Sequence, residues 1–242
     1  MVKIVSYSGG KDSTAMLITL VENDAQIDDI LYVDVGDWMW DVAEEHNRQV
    51  EETLGVKITR LDVSDEIKKG FERWGFPSFM NRWCTGIKRD AMKEYIRHSI
   101  GGERENVIQY IGYCADEVKR TGKKLYSAYD TEYPLVDAGI TTIQALEICK
   151  SYGFTFGDIY EHHQHFNCWL CPLQKVKEIE YIFNNYPDKW DYLRQLQHKT
   201  DGYYHSGKTI FEFEQRFWNK NVDVLKENRM KAREKYNKRK KK

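Results

Sequence analysis

Six residues near the N-terminus combine the features of a phosphate-binding loop. The segment from Ser8 to Ser13 reads Ser-Gly-Gly-Lys-Asp-Ser, and it connects a short strand, Lys3–Tyr7, to an amphipathic helix, Ser13–Glu22. Glycines let the backbone approach a ligand closely, the N–H groups of a first helical turn attract anions, and Lys11 adds a positive charge. The spacing differs from the common Gly-x4-Gly-Lys-Ser/Thr loop. The segment therefore predicts a phosphate site at the end of the first strand.

Cysteine spacing indicates a second chemical centre. Cys168 and Cys171 form a Cys-x-x-Cys motif, in which two thiolates can hold one metal ion. Cys84 would supply a third ligand and Cys114 a fourth. Three cysteines leave one iron of a [4Fe–4S] cluster open, whereas four close a Zn²⁺ or iron–sulfur site. A redox dithiol and buried structural thiols are the alternatives.

The remaining cysteine and the histidines are interpreted more conservatively. Cys149 and His46 fall on the apolar sides of predicted helices and are expected in the core. His162, His163 and His165 are expected in a solvated loop, with metal ligation beside Cys168 as the alternative.

The elements that position these residues alternate between strands and helices. Further strands are predicted at Ile30–Val35, Val56–Leu61 and Val107–Gly112, and helices at Asp41–Leu54 and Gly86–His98. This alternation predicts an α/β fold, with an open, twisted, mainly parallel sheet and helices on both faces. Such sheets bind ligands at the carboxyl ends of their strands, where the phosphate loop lies.

The pattern becomes helical after about residue 140. Thr141 and Gln144 form a capping box at the start of one helix. We expect residues 1–175 to form the nucleotide-binding domain and residues 176–242 a helical C-terminal extension. The helices predicted beyond residue 172 are Leu173–Asn185, Asp188–His198, Ile210–Asn219 and Asn221–Asn237.

Composition and charge narrow the class of protein. The 242 residues include 41% hydrophobic side chains and four prolines, which excludes collagenous and disordered chains. No long apolar run predicts a membrane span, and the N-terminus lacks a signal-peptide pattern, so a cytoplasmic location without membrane association is expected. Residues 229–242 hold nine basic side chains and one acid, and therefore carry +8 against −9 for the preceding residues. This tail is expected either to be a solvated helix or to anchor tRNA or DNA.

Four segments together resemble a known family. The phosphate loop resembles that of the adenine-nucleotide α-hydrolase (PP-loop) superfamily. Three further segments make the chain similar to the phosphoadenosine phosphosulfate (PAPS) reductase family over about residues 1–175. These segments are Asp34-Val35-Gly36-Asp37, then Arg82-Trp83-Cys84-Thr85 with Lys88, and Gly112-Tyr113-Cys114-Ala115-Asp116-Glu117 with Arg120.

The resemblance implies an enzyme that binds an adenine nucleotide, either ATP or an adenylyl sulfate (PAPS or APS), and often a homo-oligomer. It implies nucleotide binding by ten residues: Ser8, Gly9, Gly10, Lys11, Asp12, Ser13, Asp34, Gly36, Asp116 and Glu117. The residues expected in catalysis are Lys11, Asp12, Cys84, Lys88 and Arg120.

The chain also departs from the family pattern. It keeps Lys11 and Asp12, as in the ATP-cleaving branch that uses Mg²⁺, for which Asp12 and Asp37 are the expected ligands. No cysteine follows Cys171, although many PAPS reductases carry a nucleophilic cysteine near the C-terminus. Cys114 stands where the family usually has arginine.

The sequence therefore predicts an enzyme of sulfur metabolism that either cleaves adenylyl sulfate or uses ATP to activate a substrate for sulfur transfer. A thiol reductant or a sulfur-donor protein is the expected partner. One alternative is a tRNA or DNA thiolation enzyme with a cysteine-bound cluster. The other is a non-catalytic, zinc-stabilised nucleotide-binding module.

Overall fold

A computed structural model of the chain describes residues 1–101, 106–121, 129–166 and 168–240, without the side chains at 225, 228, 229 and 232–240. The chain folds into two compact units. The first comprises residues 1–73 and 80–171, and the second comprises residues 74–79 and 172–242. The predicted functional division after residue 175 stays a prediction.

The first unit is built on a parallel sheet of five strands. Their order across the sheet is β3-β2-β1-β4-β5, and every neighbouring pair is parallel. This confirms the predicted α/β class with a parallel sheet. The strands are β1 (Val2–Tyr7), β2 (Asp29–Asp34), β3 (Thr59–Asp62), β4 (Val107–Ile111) and β5 (Asp130–Glu132).

The central strand β1 is buried on both faces. Ile4 and Val5 point to opposite faces, and both are fully buried. Ile4 packs with Leu31, Ile96 and Val107. Burial on both faces is what a continuous apolar strand predicts, and it fixes the position of the loop that follows.

Among the described residues, six helices fall in the first unit, apart from Trp74 at the end of the third. The capping box predicted at Thr141 and Gln144 is confirmed, since each side chain bonds the other residue's backbone N–H. The helix at Ser64–Trp74 and the strand β5 were not predicted. The helices are α1 (Lys11–Glu22), α2 (Ala43–Leu54), α3 (Ser64–Trp74), α4 (Trp83–Ser99), α5 (Pro134–Asp137) and α6 (Thr142–Ser151), with short 3₁₀ segments at Gly36–Trp38, Ala115–Arg120 and Phe156–Glu161.

The second unit is helical, with α7 (Val176–Asn185), α8 (Pro187–Gln197) and α9 (Ile210–Lys240). Its core includes Trp190 and Phe217, whose ring centroids lie 6.1 Å apart. The predicted break at Lys220 is wrong, because α9 runs through it without interruption. Neither glycine nor proline occurs there, and the Lys220 ammonium bonds Glu180 on α7. In the part of the chain that the structure describes, no helix combines the length and apolar character needed to span a membrane.

Candidate active site

The predicted phosphate loop lies at the carboxyl end of the central strand. Strand β1 ends at Tyr7 and α1 begins at Lys11. Gly9 has a φ of +77°, which glycine adopts without strain. A Cβ there would come 3.4 Å from Asn47 Oδ1, so the loop is also closely packed from below. This strand–loop–helix arrangement is the one that the sequence predicts.

Two serines close the loop on itself. The Ser8 N–H and the Ser8 hydroxyl lie 3.1 and 3.0 Å from Ser13 Oγ, and the Ser13 hydroxyl donates to the Gly10 carbonyl at 3.0 Å. Ser8 is exposed, whereas Ser13 is buried. Ser13 therefore holds the loop's shape, and Ser8 presents the more accessible hydroxyl to a ligand.

Lys11 is buried at the start of α1. Its ammonium lies 2.9 Å from Asp12 Oδ1 and 5.4 Å from the centre of the Tyr160 ring. Its backbone N–H donates to the Tyr160 hydroxyl at 2.7 Å. One of the anion-attracting donors of the first turn thus bonds a tyrosine rather than facing solvent.

Tyr160 is a residue of the site that the sequence did not predict. It belongs to the 3₁₀ segment in which Phe156, Gly157 and Asp158 successively have φ values of +56°, +57° and +59°. Phenylalanine rarely adopts this region, so the backbone is strained at Phe156, whereas aspartate tolerates it better. No local signal links Tyr160 to Lys11, which is 149 residues away.

Three potential metal-ligating residues lie beside the loop. Ligating atoms of Asp12, Cys114 and Glu117 lie within 4.8 Å of one another, and no other triple of His, Cys, Asp and Glu in the described ranges meets this distance. The Cys114 thiol donates to Asp12 Oδ1 at 3.4 Å. Burial, together with the charge of Asp12, raises the pKa of Cys114 to about 12. Cys114 is therefore a neutral thiol, and the carboxyl groups of this triple belong to Asp12 and Glu117. Asp37, the other residue expected to bind Mg²⁺, is absent from this group.

Gly112 brings the end of β4 against the loop. A Cβ at Gly112 would lie 3.0 Å from the backbone carbon and oxygen of Asp12 and 3.1 Å from Ser13 Cα. Backbone atoms cannot move aside as a flexible side chain can. Glycine is therefore required for this close approach.

Asp116, Glu117 and Arg120 follow on the 3₁₀ segment after β4. Asp116 accepts bonds from the Thr142 N–H and hydroxyl, both at 3.0 Å. Burial opposes ionisation of Asp116, but these bonds prevail and lower its pKa. Arg120 pairs with Glu117 at 2.6 Å and lies 4.3 Å from the centre of the Tyr113 ring. Their roles toward a nucleotide phosphate stay predictions.

Asp34 and Gly36 form a tight turn after β2. The Gly36 N–H donates to Asp34 Oδ1 at 2.8 Å, and Gly36 has a φ of +64°. A Cβ at Gly36 would lie 2.8 Å from Ser64 Cβ. The positive φ and the close approach of Ser64 both require glycine at this position. Contact of the turn with the nucleoside stays a prediction.

A lysine lies among three cysteines on the α4 side of the sheet. The Lys88 ammonium lies 3.4 Å from Cys168 Sγ. Burial lowers the pKa of Lys88, but Cys168, Cys84 and Cys171 together raise it above its ordinary value. Burial raises the pKa of Cys84, and the Lys88 ammonium opposes this rise. All three cysteines are half-buried.

Within the described residues, no three of these cysteines have their sulfur atoms within 4.8 Å of one another. Thiolates are the ligands that zinc and iron–sulfur clusters prefer. Zinc–sulfur bonds near 2.3 Å in a tetrahedron place the sulfurs about 3.8 Å apart. The described triple within 4.8 Å contains only Cys114 among the cysteines, which bonds Asp12. Ligation by Cys84, Cys168 and Cys171, with or without Cys114, stays a prediction.

Cys149 and His46 are buried as expected. The Cys149 thiol donates to the Lys11 carbonyl at 3.3 Å, and burial raises its pKa to about 12. His46 Nε2 lies 3.3 Å from both the Tyr7 and Thr14 hydroxyls, while Nδ1 has no hydrogen-bond partner. Burial lowers the pKa of His46 to about 4, so a neutral imidazole supports the loop from below.

The three adjacent histidines differ from one another. His162 and His165 are exposed, as the prediction of a solvated loop requires. His163 is instead buried, with its ring 4.9 Å from that of Trp40. In the described part of the chain, no histidine joins a group of three ligating atoms within 4.8 Å.

Comparison with known proteins decides the family. A model of the phosphoadenosine phosphosulfate reductase domain matches residues 3–143, which is more than half of the chain. The chain belongs to this family. The PAPS reductase family binds adenine nucleotides, and the matched residues contain both the phosphate loop and the segment Gly112–Arg120.

Individual relatives are distant. The uncharacterized protein MJ0066 of Methanocaldococcus jannaschii is 23% identical over 195 residues, which cover 78% of this chain. The chain spans 40% of the length of that relative. NMN synthetase from Francisella tularensis has a TM-score of 0.44 and 16% identity, covering 63% of this chain and 61% of its own. An NH3-dependent NAD synthetase from Campylobacter jejuni, in complex with nitrate, has a TM-score of 0.46 and 12% identity, covering 90% and 84%.

Several predictions about partners are not tested by these observations. Helix α9 continues to Lys240, but most side chains of the basic tail lie outside the described residues, as do residues 241 and 242. Binding of tRNA or DNA by this tail stays a prediction. The same holds for a homo-oligomer, a sulfur-donor protein and a thiol reductant.

Proposed function

We propose that this chain is an ATP-dependent enzyme of sulfur chemistry, which adenylates its substrate and prepares it for attack by sulfur. A substrate oxygen attacks the α-phosphate of ATP held on the Ser8–Ser13 loop, and pyrophosphate leaves. A sulfur nucleophile then displaces AMP. The carrying observation is the pair of carboxylates, Asp12 and Glu117, placed directly beside the loop.

The donor set fits a hard divalent cation. Mg²⁺ prefers carboxylate and phosphate oxygens, so Asp12 and Glu117 would hold it, while the neutral Cys114 thiol is a poor ligand. Bound Mg²⁺ would neutralise charge on a triphosphate. Without a bound cation, the two carboxylates would repel a triphosphate. The pair therefore favours ATP that binds together with Mg²⁺ over an anion that binds without a metal ion.

The chain's own cations act on the leaving group. Lys11 is the fixed charge of the loop, and its ammonium would stabilise the negative charge that develops on departing pyrophosphate. The Lys11 ammonium contacts Asp12 before ATP binds and would contact a phosphate afterwards, so it is paired with an anion in both states. The N–H groups of the first turn of α1 would bind the same phosphates.

The cysteines around Lys88 would handle sulfur. Burial raises the pKa of Cys84 and the Lys88 ammonium opposes this rise, so Lys88 would stabilise a thiolate formed there during the reaction. Half-buried thiols at this position would carry or deliver the sulfur that displaces AMP. The same thiols also favour a second candidate function, in which adenylyl sulfate is cleaved to sulfite at a thiolate.

Product analysis separates the two reactions. The purified chain is incubated with ATP and Mg²⁺, or with PAPS or APS and a dithiol, and pyrophosphate and sulfite are measured. We expect tight ATP binding that falls more than tenfold in Lys11→Ala and Glu117→Gln. The matched control is Glu147→Gln, on an exposed position of α6. Sulfite from adenylyl sulfate, with no binding of ATP, would contradict the adenylating reaction and support the second candidate.

Metal analysis tests the role of the cysteines. Iron, acid-labile sulfide and zinc are measured in anaerobically purified protein and in Cys84→Ala and Cys168→Ala. About four irons with matching sulfide, lost in both variants, would support a cluster that takes part in sulfur transfer. One zinc per chain without iron would give the cysteines a structural role and assign the reaction to the Ser8–Ser13 loop alone.

A further inference from the structure

A cavity of about 580 Å³ lies on the α4 side of the sheet. Its floor includes Ser6 of β1 and Gln109 and Ile111 of β4, so it opens at the same carboxyl edge as the phosphate loop. The first half of α4 forms the opposite wall. The lining residues are Ser6, Asn81, Arg82, Trp83, Thr85, Gly86, Lys88, Arg89, Met92, Lys93, Gln109, Ile111 and Tyr129, and we call this space the α4 cavity.

The α4 cavity is strongly cationic. Four of its lining residues are basic, namely Arg82, Lys88, Arg89 and Lys93, and none of the described lining residues is acidic. Arg82, Arg89 and Lys93 are exposed, and Arg89 pairs with the neighbouring Asp90 at 3.2 Å. Lys88 reaches inward to Cys168. Several cations around one cavity attract an anion with more than one negative charge, and arginine forks suit phosphate oxygens in particular.

The cavity also has flat and apolar surfaces. Trp83 and Tyr129 contribute aromatic groups, and Met92 contributes a thioether. The Tyr129 hydroxyl donates to the Lys93 carbonyl at 3.3 Å, which ties this ring to α4. Aromatic walls beside cations are the combination that holds a ring and its phosphate together. The volume falls in the usual range of small-molecule sites, about 300–1,000 Å³.

We propose that the α4 cavity binds the second substrate of the proposed reaction, and that this substrate is a nucleotide phosphate ester. The proposal rests on the proposed function for its place in the reaction, since the loop side of the sheet is assigned to ATP. Lys88 lines the cavity and bonds Cys168, so a molecule bound there lies next to the thiols that would deliver sulfur. The phosphate ester is either a free nucleotide or part of a polynucleotide strand.

Gly86 offers a way to fill the cavity without damaging the fold. It lies inside α4, and a Cβ built on it meets no heavy atom within 4 Å. A larger side chain at this position would therefore occupy the cavity. Replacing a helical glycine also favours the helix, so Gly86→Leu is expected to fold at least as stably as the parent.

The test measures two ligands on the full chain. The loop is first saturated with a non-hydrolysable ATP analogue, and uridine 5′-monophosphate or a labelled ten-nucleotide RNA is then titrated by calorimetry or anisotropy. We expect at least one of these probes to bind, and its affinity to fall about tenfold or more in Arg89→Gln/Lys93→Gln and in Gly86→Leu. The matched control is Arg97→Gln, an exposed cation of α4 outside the cavity, with a change of about twofold or less.

The outcomes distinguish the sources of the phosphate. Binding of uridine monophosphate assigns a free nucleotide, and binding of RNA alone assigns a strand. Failure of both probes to bind, or equal affinity in all variants, would overturn the proposal. A parallel loss of affinity for the ATP analogue in Arg89→Gln/Lys93→Gln would also overturn it, because the cavity would then belong to the ATP site. Loss of ATP binding in Lys11→Ala alone tests only the proposed function.

Discussion

The two sides of the sheet's carboxyl edge present their charges differently. On the loop side, Lys11 is paired with Asp12, and Glu117 with Arg120. On the α4 side, Arg82, Arg89 and Lys93 stand around an open cavity without a carboxylate in its described lining. A ligand on the loop side therefore exchanges partners with ion-paired groups. A ligand on the α4 side meets four basic side chains and no lining carboxylate, with Arg89 paired to the neighbouring Asp90. The first arrangement gives precise geometry, and the second gives attraction for anions.

The cysteines also differ between the two sides. Their rates of alkylation give the largest expected effect. Cys114 and Cys149, on the loop side, have pKa values of about 12 against an ordinary value of 9.0. Near pH 8 the thiolate population of each is therefore about a thousandfold lower than that of an ordinary thiol. Alkylation of the metal-free native chain, followed by mass spectrometry, should modify Cys168 and Cys171 well before either of them. Equal rates at Cys114 and Cys168 would remove the contrast.

The loop side also depends on pH through His46. Its folded pKa of about 4 lies below the ordinary 6.5, so the unfolded chain binds a proton that the folded chain does not. Stability is therefore full above about pH 6.5 and falls as the pH decreases to about 4, by up to about 3 kcal/mol. Denaturant unfolding at several pH values should show this slope, and His46→Gln should flatten it. In His98→Gln, which changes an exposed histidine of α4, the slope should persist.

Gly112 tests how closely the loop side is packed. The added Cβ of Gly112→Ala would lie 3.0 Å from the Asp12 backbone, so the loop must shift. We expect a loss of about 1–3 kcal/mol in the free energy of unfolding, together with weaker ATP binding. Chemical denaturation and an ATP titration measure both quantities. Full ATP affinity in this variant would mean that the loop tolerates the displacement.

Gly86 is the α4-side counterpart of Gly112. Its substitution by alanine has the smallest expected effect on stability. Because a Cβ there meets open space, Gly86→Ala should raise the free energy of unfolding by about 0.5–1 kcal/mol. Thermal unfolding beside the parent chain would detect this gain. A loss of stability would show that the cavity is less open than its lining indicates.

Local patterns predicted much of the loop side. The Ser8–Ser13 segment, the strand before it and the helix after it are contiguous, so spacing alone predicted their arrangement. Helix boundaries at Gln197 and Asn185 were also predicted within one residue. In contrast, β3 was expected at Val56–Leu61 but occupies Thr59–Asp62, because its register is set by pairing with β2.

The remainder depends on contacts between distant segments. Tyr160 reaches Lys11 across 149 residues, and the short strand β5 gains its stability from pairing with β4 rather than from its own sequence. The α4 cavity combines residues 81–93 with Gln109, Ile111 and Tyr129. No single segment carries that information. The fold class and the phosphate loop were therefore predictable, but the full site was not.

The position of β1 also governs when the site can be completed during synthesis. Its neighbours are β2 and β4, and residue Ser6 aligns with Ile111, which is made about a hundred residues later. At about 5–20 residues per second, the nascent chain exposes one edge of β1 for about 5–20 s. A bare edge of an apolar strand is prone to pair with other chains. Production of this protein should accordingly respond to translation speed and to chaperones that shield early strands.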